Sequence, residues 1–588
     1  MKKLVSKKTA GVSPGRGGPW SLLPLRHWPH AIDLAIFATG LAIFYGLVTL
    51  ARTWLGPVTP SVEIDRRPSA LPAYAAYSLL RVLIAYVLSL VFTLAYGYAA
   101  AYNSTAEQIM IPLLDIAQSI PVLSFLPGVM LAMVALFPDR QLGVELGAIL
   151  LIFTGQVWNM AFSFYASLKG VPKEMLEAAQ IYRFNKWMRF RDIELPSAAI
   201  GLVWNSMMSV AGGWFFLMAC EMFVLGDRDF RLPGLGSYLQ TAASSGDTFA
   251  IFWGVAVMVV VIVLLDQLVW RPVIAWVEKF KFEQTERAQS PGSWLLQLMR
   301  KSNLLPRLRK EMLAPVSEWL SLYAAGRHNA PPARHELAAL KKWVSRVLAV
   351  ALLSAVGYAV ARALAIVTTV DPLELKELGI GVLATFLRVN IALLIGAAWT
   401  IPAGVAIGFN QKLARIAQPL AQITASVPAT ALFPVVLLLL IQRGGGLALG
   451  SVVLLLLGTQ WYILFNVIAG AIAIPSDLKE VAAVFKFGSV ARWRRLILPG
   501  IFPYLTTGLV TASGGAWNAS IIAEYFHFKG HIYSTVGLGA TISRATDSGN
   551  FNLLIASTIV MAAVVVGINR LVWRKLYILA EAKYKIET

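Results

Sequence analysis

The chain alternates long apolar runs with short, strongly charged intervals. Twelve runs reach membrane-spanning length. In the first half they lie near 31–51, 75–101, 110–137, 143–168, 197–225 and 250–271, and in the second near 344–369, 379–408, 414–441, 447–474, 500–525 and 551–572. About 20 apolar residues at about 1.5 Å per residue cross a hydrocarbon layer of about 30 Å. The pattern therefore predicts an all-α integral membrane protein of about twelve helices. The third run carries Pro112, Pro121 and Pro127, and the ninth Pro419, Pro428 and Pro434. Proline removes a backbone hydrogen bond, and lipid offers the freed group no partner. Both runs are expected to break and to face protein or a water-filled cavity.

The pattern occurs twice. Leu80-Arg81-Val82 returns 307 residues later as Leu387-Arg388-Val389, and the three prolines of each broken run share that offset. Trp158/Trp461, Trp214/Trp517, Glu221/Glu524, Gly234-Leu-Gly236/Gly537-Leu-Gly539 and Leu268-Val-Trp-Arg271/Leu571-Val-Trp-Arg574 recur at 303. Six spans per repeat is an even number, so the two units point the same way, as a fused pseudo-dimer with its axis along the membrane normal. The expected division is a basic N-terminal segment (1–30), a first unit (31–277), a linker (278–342) and a second unit (343–588). In the linker, Trp294, Leu295, Leu298, Leu304, Leu305, Leu308, Trp319 and Leu320 stand among charges. This suits short helices lying on the membrane surface, or a solvated basic linker.

Composition agrees, with 57% hydrophobic and 14% charged residues and a mean hydropathy of +0.66. A net charge of +20 would suggest nucleic acid in a soluble protein. Here basic loops on one side of the membrane account for it, and no nucleic-acid partner is expected. The first 30 residues hold six Lys/Arg and no acid, which puts the N-terminus, and with it the C-terminus, in the cytoplasm. The run at 31–50 lacks a small-residue cleavage site and reads as a retained helix. A single cysteine, Cys220, excludes an internal disulfide. There is no Gly-x-x-x-x-Gly-Lys-Ser/Thr loop and no His-Glu-x-x-His, so neither an ATP site nor a metal site is expected in this chain. His527 and His531 are four apart but flank Gly530 in an outside loop, and are not read as metal ligands.

Two polar islands interrupt the apolar pattern, at 171–196 and 474–499. The first reads Val-Pro-Lys-Glu-Met-Leu-Glu177-Ala178-Ala179, a basic run, then Ile193-Glu-Leu195-Pro196. The second reads Ile-Pro-Ser-Asp-Leu-Lys-Glu480-Val-Ala482-Ala483, a basic run, then Ile497-Leu498-Pro499. Pro172 and Pro475 suit a helix start, with acids near its positive end. The alanines are expected to leave a smooth face for close packing of another protein. Glu177-Ala-Ala179 with Ile193-x-Leu195-Pro196 resembles the "EAA" signature of permease subunits of type I ABC importers, and the second copy is similar with Val481 in place of the first alanine. In that family the loop forms coupling helices that dock in a groove of a cytoplasmic ATPase. Arg183 and Lys486 stand where the family has glycine, so the turn after the first short helix is expected to differ. Ser78-Leu-Leu-Arg81-Val, Ala219-Cys-Glu221-Met and Gly234-Leu-Gly236-Ser-Tyr238 resemble the nitrate/sulfonate/taurine group of these permeases. The second half repeats them as Thr385-Phe-Leu-Arg388-Val, Ala523-Glu524 and Gly537-Leu-Gly539.

Arginine inside a span costs about 2.5–3.5 kcal/mol or more at mid-helix unless paired. Arg81 with Glu221, and Arg388 with Glu524, lie at similar depths. They read either as structural ion pairs or as anion attractors at the outer mouth. Pathway candidates are Gln118, Ser119, Gln156, Trp158 and Asn159 in the first half, with Thr424, Ser426, Gln460, Trp461 and Asn466 in the second. The two sets differ, which points to an asymmetric cavity.

The resemblance implies a non-catalytic permease in a bacterial inner membrane. It would move a small anionic solute (nitrate-, sulfonate-, taurine- or bicarbonate-like), and a periplasmic or lipid-anchored binding protein would deliver that solute. An ATPase dimer outside the chain would use the ATP and Mg. The competing reading is an ion-coupled secondary carrier of six plus six parallel spans, which leaves the two islands without a purpose.

Overall fold

The computed structural model describes residues 63–280 apart from 139–140 and 226–227, residues 294–299, scattered positions between 311 and 362, and residues 365–584 apart from 443–445 and 529–530. The apolar run near 31–51, most of the run near 344–369, the N-terminal segment and most of the linker lie outside the described residues.

The first unit runs α1 (Leu71–Tyr102), α2 (Ser104–Ser119), α3 (Leu126–Leu136), α4 (Gln141–Lys169), α5 (Lys173–Ile181), α6 (Lys186–Arg189), α7 (Leu195–Glu221), strands β1 (Val224–Leu225) and β2 (Arg228–Asp229), α8 (Leu235–Ser245), α9 (Thr248–Leu265) and α10 (Arg271–Val277). A short linker helix, α11, covers Trp294–Met299. The second unit repeats the order as α12 (Pro372–Phe409), α13 (Gln411–Ser426), α14 (Ala429–Gln442), α15 (Leu447–Ala473), α16 (Ser476–Val484), α17 (Ser489–Arg492), α18 (Leu498–Ala523), β3 (Tyr525–Phe528), β4 (His531–Ser534), α19 (Leu538–Asp547), α20 (Phe551–Ile568) and α21 (Arg574–Tyr584). Each strand pair is an antiparallel hairpin. Eight described helices are long and apolar enough to cross a membrane, or ten spans if each bent pair counts as one.

The middle proline of each triad makes the break. α2 and α3 meet at 83° around Pro121, and α13 and α14 meet at 79° around Pro428. Pro112, Pro419 and Pro434 sit inside helices. Backbone groups freed near Pro121 find partners on the other unit: Leu123 N–H donates to Asn518 Oδ1 (3.3 Å) and Ser124 C=O accepts from Thr558 Oγ1 (2.9 Å). Asn569 Nδ2 donates to Ser119 Oγ (2.6 Å), and in the reciprocal contact Gln422 Nε2 donates to Asp266 Oδ1 (3.1 Å). The broken helices thus form the seam between units, because only protein can satisfy their open backbone.

At the end of each unit away from the polar islands, a buried carboxylate holds a knot. Glu221 is fully buried. It accepts from Arg81 Nη1 (2.7 Å), Ser78 Oγ (2.7 Å) and the N–H of Gly236 (2.7 Å), in the first turn of α8. Arg81 also grips Glu145 through Nε (2.6 Å) and Nη2 (2.7 Å), and donates to Pro233 C=O (2.8 Å). Glu524 repeats the arrangement with Arg388 Nη1 (2.9 Å), Thr385 Oγ1 (2.7 Å) and Gly539 N–H (2.9 Å). Glycine is required in the Gly-Leu-Gly pairs because a Cβ on Gly234 would lie 2.3 Å from the Glu221 carboxyl, and one on Gly537 2.0 Å from that of Glu524. The knots differ most in the arginine's second acid. Ala448 occupies the place of Glu145, 303 residues on, and Arg388 Nη2 bonds the Thr535 hydroxyl instead (2.9 Å).

Two expectations follow. Asn518→Leu removes the acceptor for the Leu123 N–H and should destabilise the folded chain by about 1–3 kcal/mol, read as a lower unfolding temperature in detergent with faster amide exchange at Leu123. Arg81→Met strands two buried carboxylates and should cost at least about 3–5 kcal/mol. Arg388→Met strands one carboxylate that keeps its hydroxyl and backbone donors, so its unfolding temperature should fall less. Equal losses for the two arginines would contradict this account.

Candidate functional site

Both islands fold as a short helix, a left-handed turn and a second short helix. Pro172 and Pro475 are the N-cap residues of α5 and α16, one position before the first helical turn. Arg183 (φ 53°) and Lys486 (φ 48°) are the two non-glycine residues with positive φ among the described residues. The turn closes each helix from both sides of this residue. Arg183 N–H donates to Gln180 C=O (3.0 Å) and Phe184 N–H to Ala179 C=O (2.8 Å), and Lys486 and Phe487 do the same with Ala483 and Ala482 (3.0 Å each). This is the pattern that favours glycine at a helix C-terminus. The expected departure therefore lies in the side chain alone: the glycine-like backbone is kept, under strain of about 1–2 kcal/mol per residue.

The alanines also sit differently from expectation. Ala179 and Ala482 are buried, 3% and 5% exposed, against the chain's own helices. Their small size lets α5 and α16 lie close to the bundle. Ala178 is half-buried and Ala483 exposed. The outward surfaces are instead Glu177 with Ile181 and Tyr182, and Glu480 with Val484 and Phe485, the four apolar side chains each more than 70% exposed. Each loop is joined rigidly to a span. π-helical turns at Phe190–Glu194 and Trp493–Ile497 run without interruption into α7 at Leu195-Pro196 and α18 at Leu498-Pro499. Further π-helical turns at Asp266–Trp270 and Asn569–Trp573 carry the repeated Leu-Val-Trp motif.

A cavity of about 510 Å³ lies between the units at the opposite end, by the hairpins. The break of the first unit (Leu123, Leu126, Pro127) forms one wall. Arg231 and Gln240 of the first unit face Tyr525, His527 and Asp547 of the second. Arg231 is held by Asp229 (2.6 Å), and Asp547 Oδ2 accepts from the Tyr525 hydroxyl and lies 2.8 Å from His527 Nε2. Burial and the Asp547 carboxylate push the Tyr525 phenol above its ordinary range. The polar cluster is one-sided, because Met222, Val224 and Ser244 stand where the second unit has Tyr525, His527 and Asp547.

The sequence-derived pathway residues do not line this cavity. Gln118 Nε2 donates to Asn159 Oδ1 (3.0 Å), and Ser119 reaches the other unit. Gln460 accepts from Trp399 Nε1 (3.1 Å), and Trp461 packs edge-on against that Trp399. Thr424 and Asn466 bond their own helices, and the Ser426 side chain lies outside the described residues. Gln156 is buried against Gly213, and neither its amide atoms nor Trp158 Nε1 bonds another described group. In the second unit Thr459 and Ala516 take the places of Gln156 and Gly213, a compensating exchange of volume. Sequence reasoning overlooked Glu145 and the Asp547 cluster. An acid inside an apolar run was the available signal for Glu145, whereas Asp547 joins its partners only through the hairpin.

The family described as "Binding-protein-dependent transport system inner membrane component" matches residues 91–269 and 400–579, one copy in each unit. The chain is 28% identical over 193 residues to the nitrate import permease protein of Synechococcus elongatus, covering 33% of this chain and 65% of that one. It is 28% identical over 198 residues to the bicarbonate transport system permease protein of the same organism (34% and 68%). Against the taurine transport system permease protein of Escherichia coli it is 26% identical over 194 residues (33% and 65%). The chain thus spans about two thirds of the length of the relatives it matches. With two copies of the matching unit, two equivalent helix–turn–helix loops and two equivalent carboxylate knots, the chain belongs to the family of binding-protein-dependent transport system inner membrane components, as a fused double permease of the type I importer fold.

Proposed function

We propose that this chain is the membrane-spanning part of an ATP-driven importer for a small anionic solute of the nitrate, bicarbonate, taurine or sulfonate kind. The observation that carries the reading is the pair of exposed helix–turn–helix loops on one face, each continuous through a π-helical turn with a membrane span. A push on such a loop reaches the span directly. The loops dock a cytoplasmic ATPase dimer, with Glu177, Arg183, Leu195 and Pro196 in one and Glu480, Lys486, Leu498 and Pro499 in the other. The ATP and Mg belong to that partner. The cavity between the hairpins is the entrance, facing a solute-binding protein, and both termini lie in the cytoplasm of a bacterial inner membrane. The broken helices at the seam, with Gln156 and Trp158 beside them, then change partners as access alternates. Arg81 and Arg388 are structural in this reading, because their guanidinium groups are consumed by carboxylates and carbonyls.

Charge reversal at the exposed glutamates tests the docking. Glu177→Lys or Glu480→Lys alone should cut ATP-dependent uptake about tenfold or more, and the double variant should abolish it and release a co-purifying ATPase, while the unfolding temperature stays within about 1 °C. Uptake driven by an ion gradient in proteoliposomes without any ATPase would establish the secondary carrier instead. The strained turns give a second outcome. Arg183→Gly and Lys486→Gly should each stabilise the chain by about 0.5–1 kcal/mol net, since relief of the left-handed strain exceeds the added entropy of the unfolded chain. Arg183→Val should destabilise it, as read by thermal unfolding.

A further inference from the structure

Under the second coupling helix two cations share one aromatic ring. Lys479 Nζ lies 4.8 Å from the centre of the Phe409 ring, and the Arg492 guanidinium carbon lies 5.5 Å from it. Neither takes part in an ion pair among the described residues. Burial and the Arg492 charge hold the Lys479 ammonium below its ordinary range.

The first unit resolves the same place internally. Arg189 stacks 4.6 Å over Tyr102, and its Nε lies 2.5 Å from the fully buried carboxylate of Glu194. Leu176 stands where the second unit has Lys479, and buried Ile497 stands where the first has Glu194. Where the first unit has one arginine with its acid, the second has two cations with no acid paired to them among the described residues. Adjacent like charges repel; Lys479 is half-buried, which weakens its solvent screening, while Arg492 beside it is exposed. Among the described residues, no carboxylate pairs with either cation in the second unit.

Position indicates what supplies it. Phe409 is the last residue of α12, a helix long and apolar enough to cross a membrane, and stands at its coupling-loop end. Lys479 is half-buried on the side of α16 that carries buried Ala482, whereas Glu480, Val484 and Phe485 are exposed. Lys479 therefore lies on the bundle-facing side of α16, and with the exposed Arg492 it sits at the coupling-loop end of that candidate span, where a lipid headgroup can reach both.

We infer that Lys479 and Arg492, over the Phe409 ring, form a phosphate-group site found only in the second unit, filled by the headgroup of an anionic phospholipid from the leaflet on the coupling-loop side. A guanidinium grips two phosphate oxygens as a fork, and an ammonium adds a point charge. Basic residues near an anionic leaflet contribute about 1 kcal/mol each, about a fivefold change in affinity.

The test uses the purified full chain in nanodiscs of phosphatidylcholine with or without phosphatidylglycerol. Phosphatidylglycerol retention is read by native mass spectrometry, and stability by thermal unfolding. Wild type should retain phosphatidylglycerol and unfold at a higher temperature with it. Lys479→Gln and Arg492→Gln should each weaken retention about fivefold, and the double variant should lose the stabilisation. Lys479→Arg should keep both, showing that the fold persists. Lys173→Gln, which removes a surface cation of the first coupling helix, should change neither. Inorganic phosphate added to phosphatidylcholine discs distinguishes the sources. The same stabilisation by phosphate alone would overturn the lipid as occupant. Equal retention by wild type and the double variant, or equal weakening by Lys173→Gln, would overturn the site itself. No ATPase or solute enters the assay, so its failure leaves the transport reading untouched.

Discussion

The fold depends on burying a carboxylate at the far end of each unit. Glu221 and Glu524 cannot be left alone in a low-dielectric interior, so each must gather an arginine, a hydroxyl and a helix N-terminus. The carboxylate stands on the fifth span of its unit, the arginine and hydroxyl on the second, and the helix N-terminus after the hairpin. Satisfying one charge therefore fixes three otherwise separate elements. The hairpins, and the cavity they border, are held in place by this requirement more than by their own short ladders.

At the opposite end the proposed constraint is mechanical. A loop that is to transmit force must not flex independently of its span. Here the chain closes α5 and α16 tightly against the bundle with a buried alanine, turns through a strained residue and enters the next span without a break in helical structure. The strain at Arg183 and Lys486 persists because the two reverse-turn hydrogen bonds over-determine the backbone on either side.

Much of this was legible in the sequence, for physical reasons that differ by element. The spans follow from apolar run length, and the breaks follow from Pro121 and Pro428. The repeat was visible because residues under tight constraint, such as Arg81, Glu221 and the Gly-Leu-Gly pairs, reappear at fixed spacing. What periodicity misses is which way a small side chain points. Ala179 and Ala482 were read as an outward face but serve inward packing. The third member of the first knot, Glu145, has no counterpart in the second unit, so the repeat could not reveal it. The cavity cluster of Tyr525, His527 and Asp547 is formed by two segments that meet only after the hairpin closes. The pathway candidates are polar positions inside apolar runs, and four of them are occupied by partners within the bundle: Gln118 and Asn159 bond each other, and Thr424 and Asn466 their own helices.

The two units are fused into one polypeptide, and this has an evolutionary consequence. In a dimer of identical subunits every substitution arrives at both symmetry-related positions at once, so a change tolerable on one side and harmful on the other is lost. Fusion removes that coupling. Glu145 against Ala448, Gln156 with Gly213 against Thr459 with Ala516, and Glu194 with Leu176 against Ile497 with Lys479 are all differences that a dimer of identical chains could not carry on one side alone. The chain keeps its twofold scaffold in the carboxylate knots and the left-handed turns and departs from it at these pairs. Its departures from symmetry are therefore a guide to which tasks the halves have divided between them.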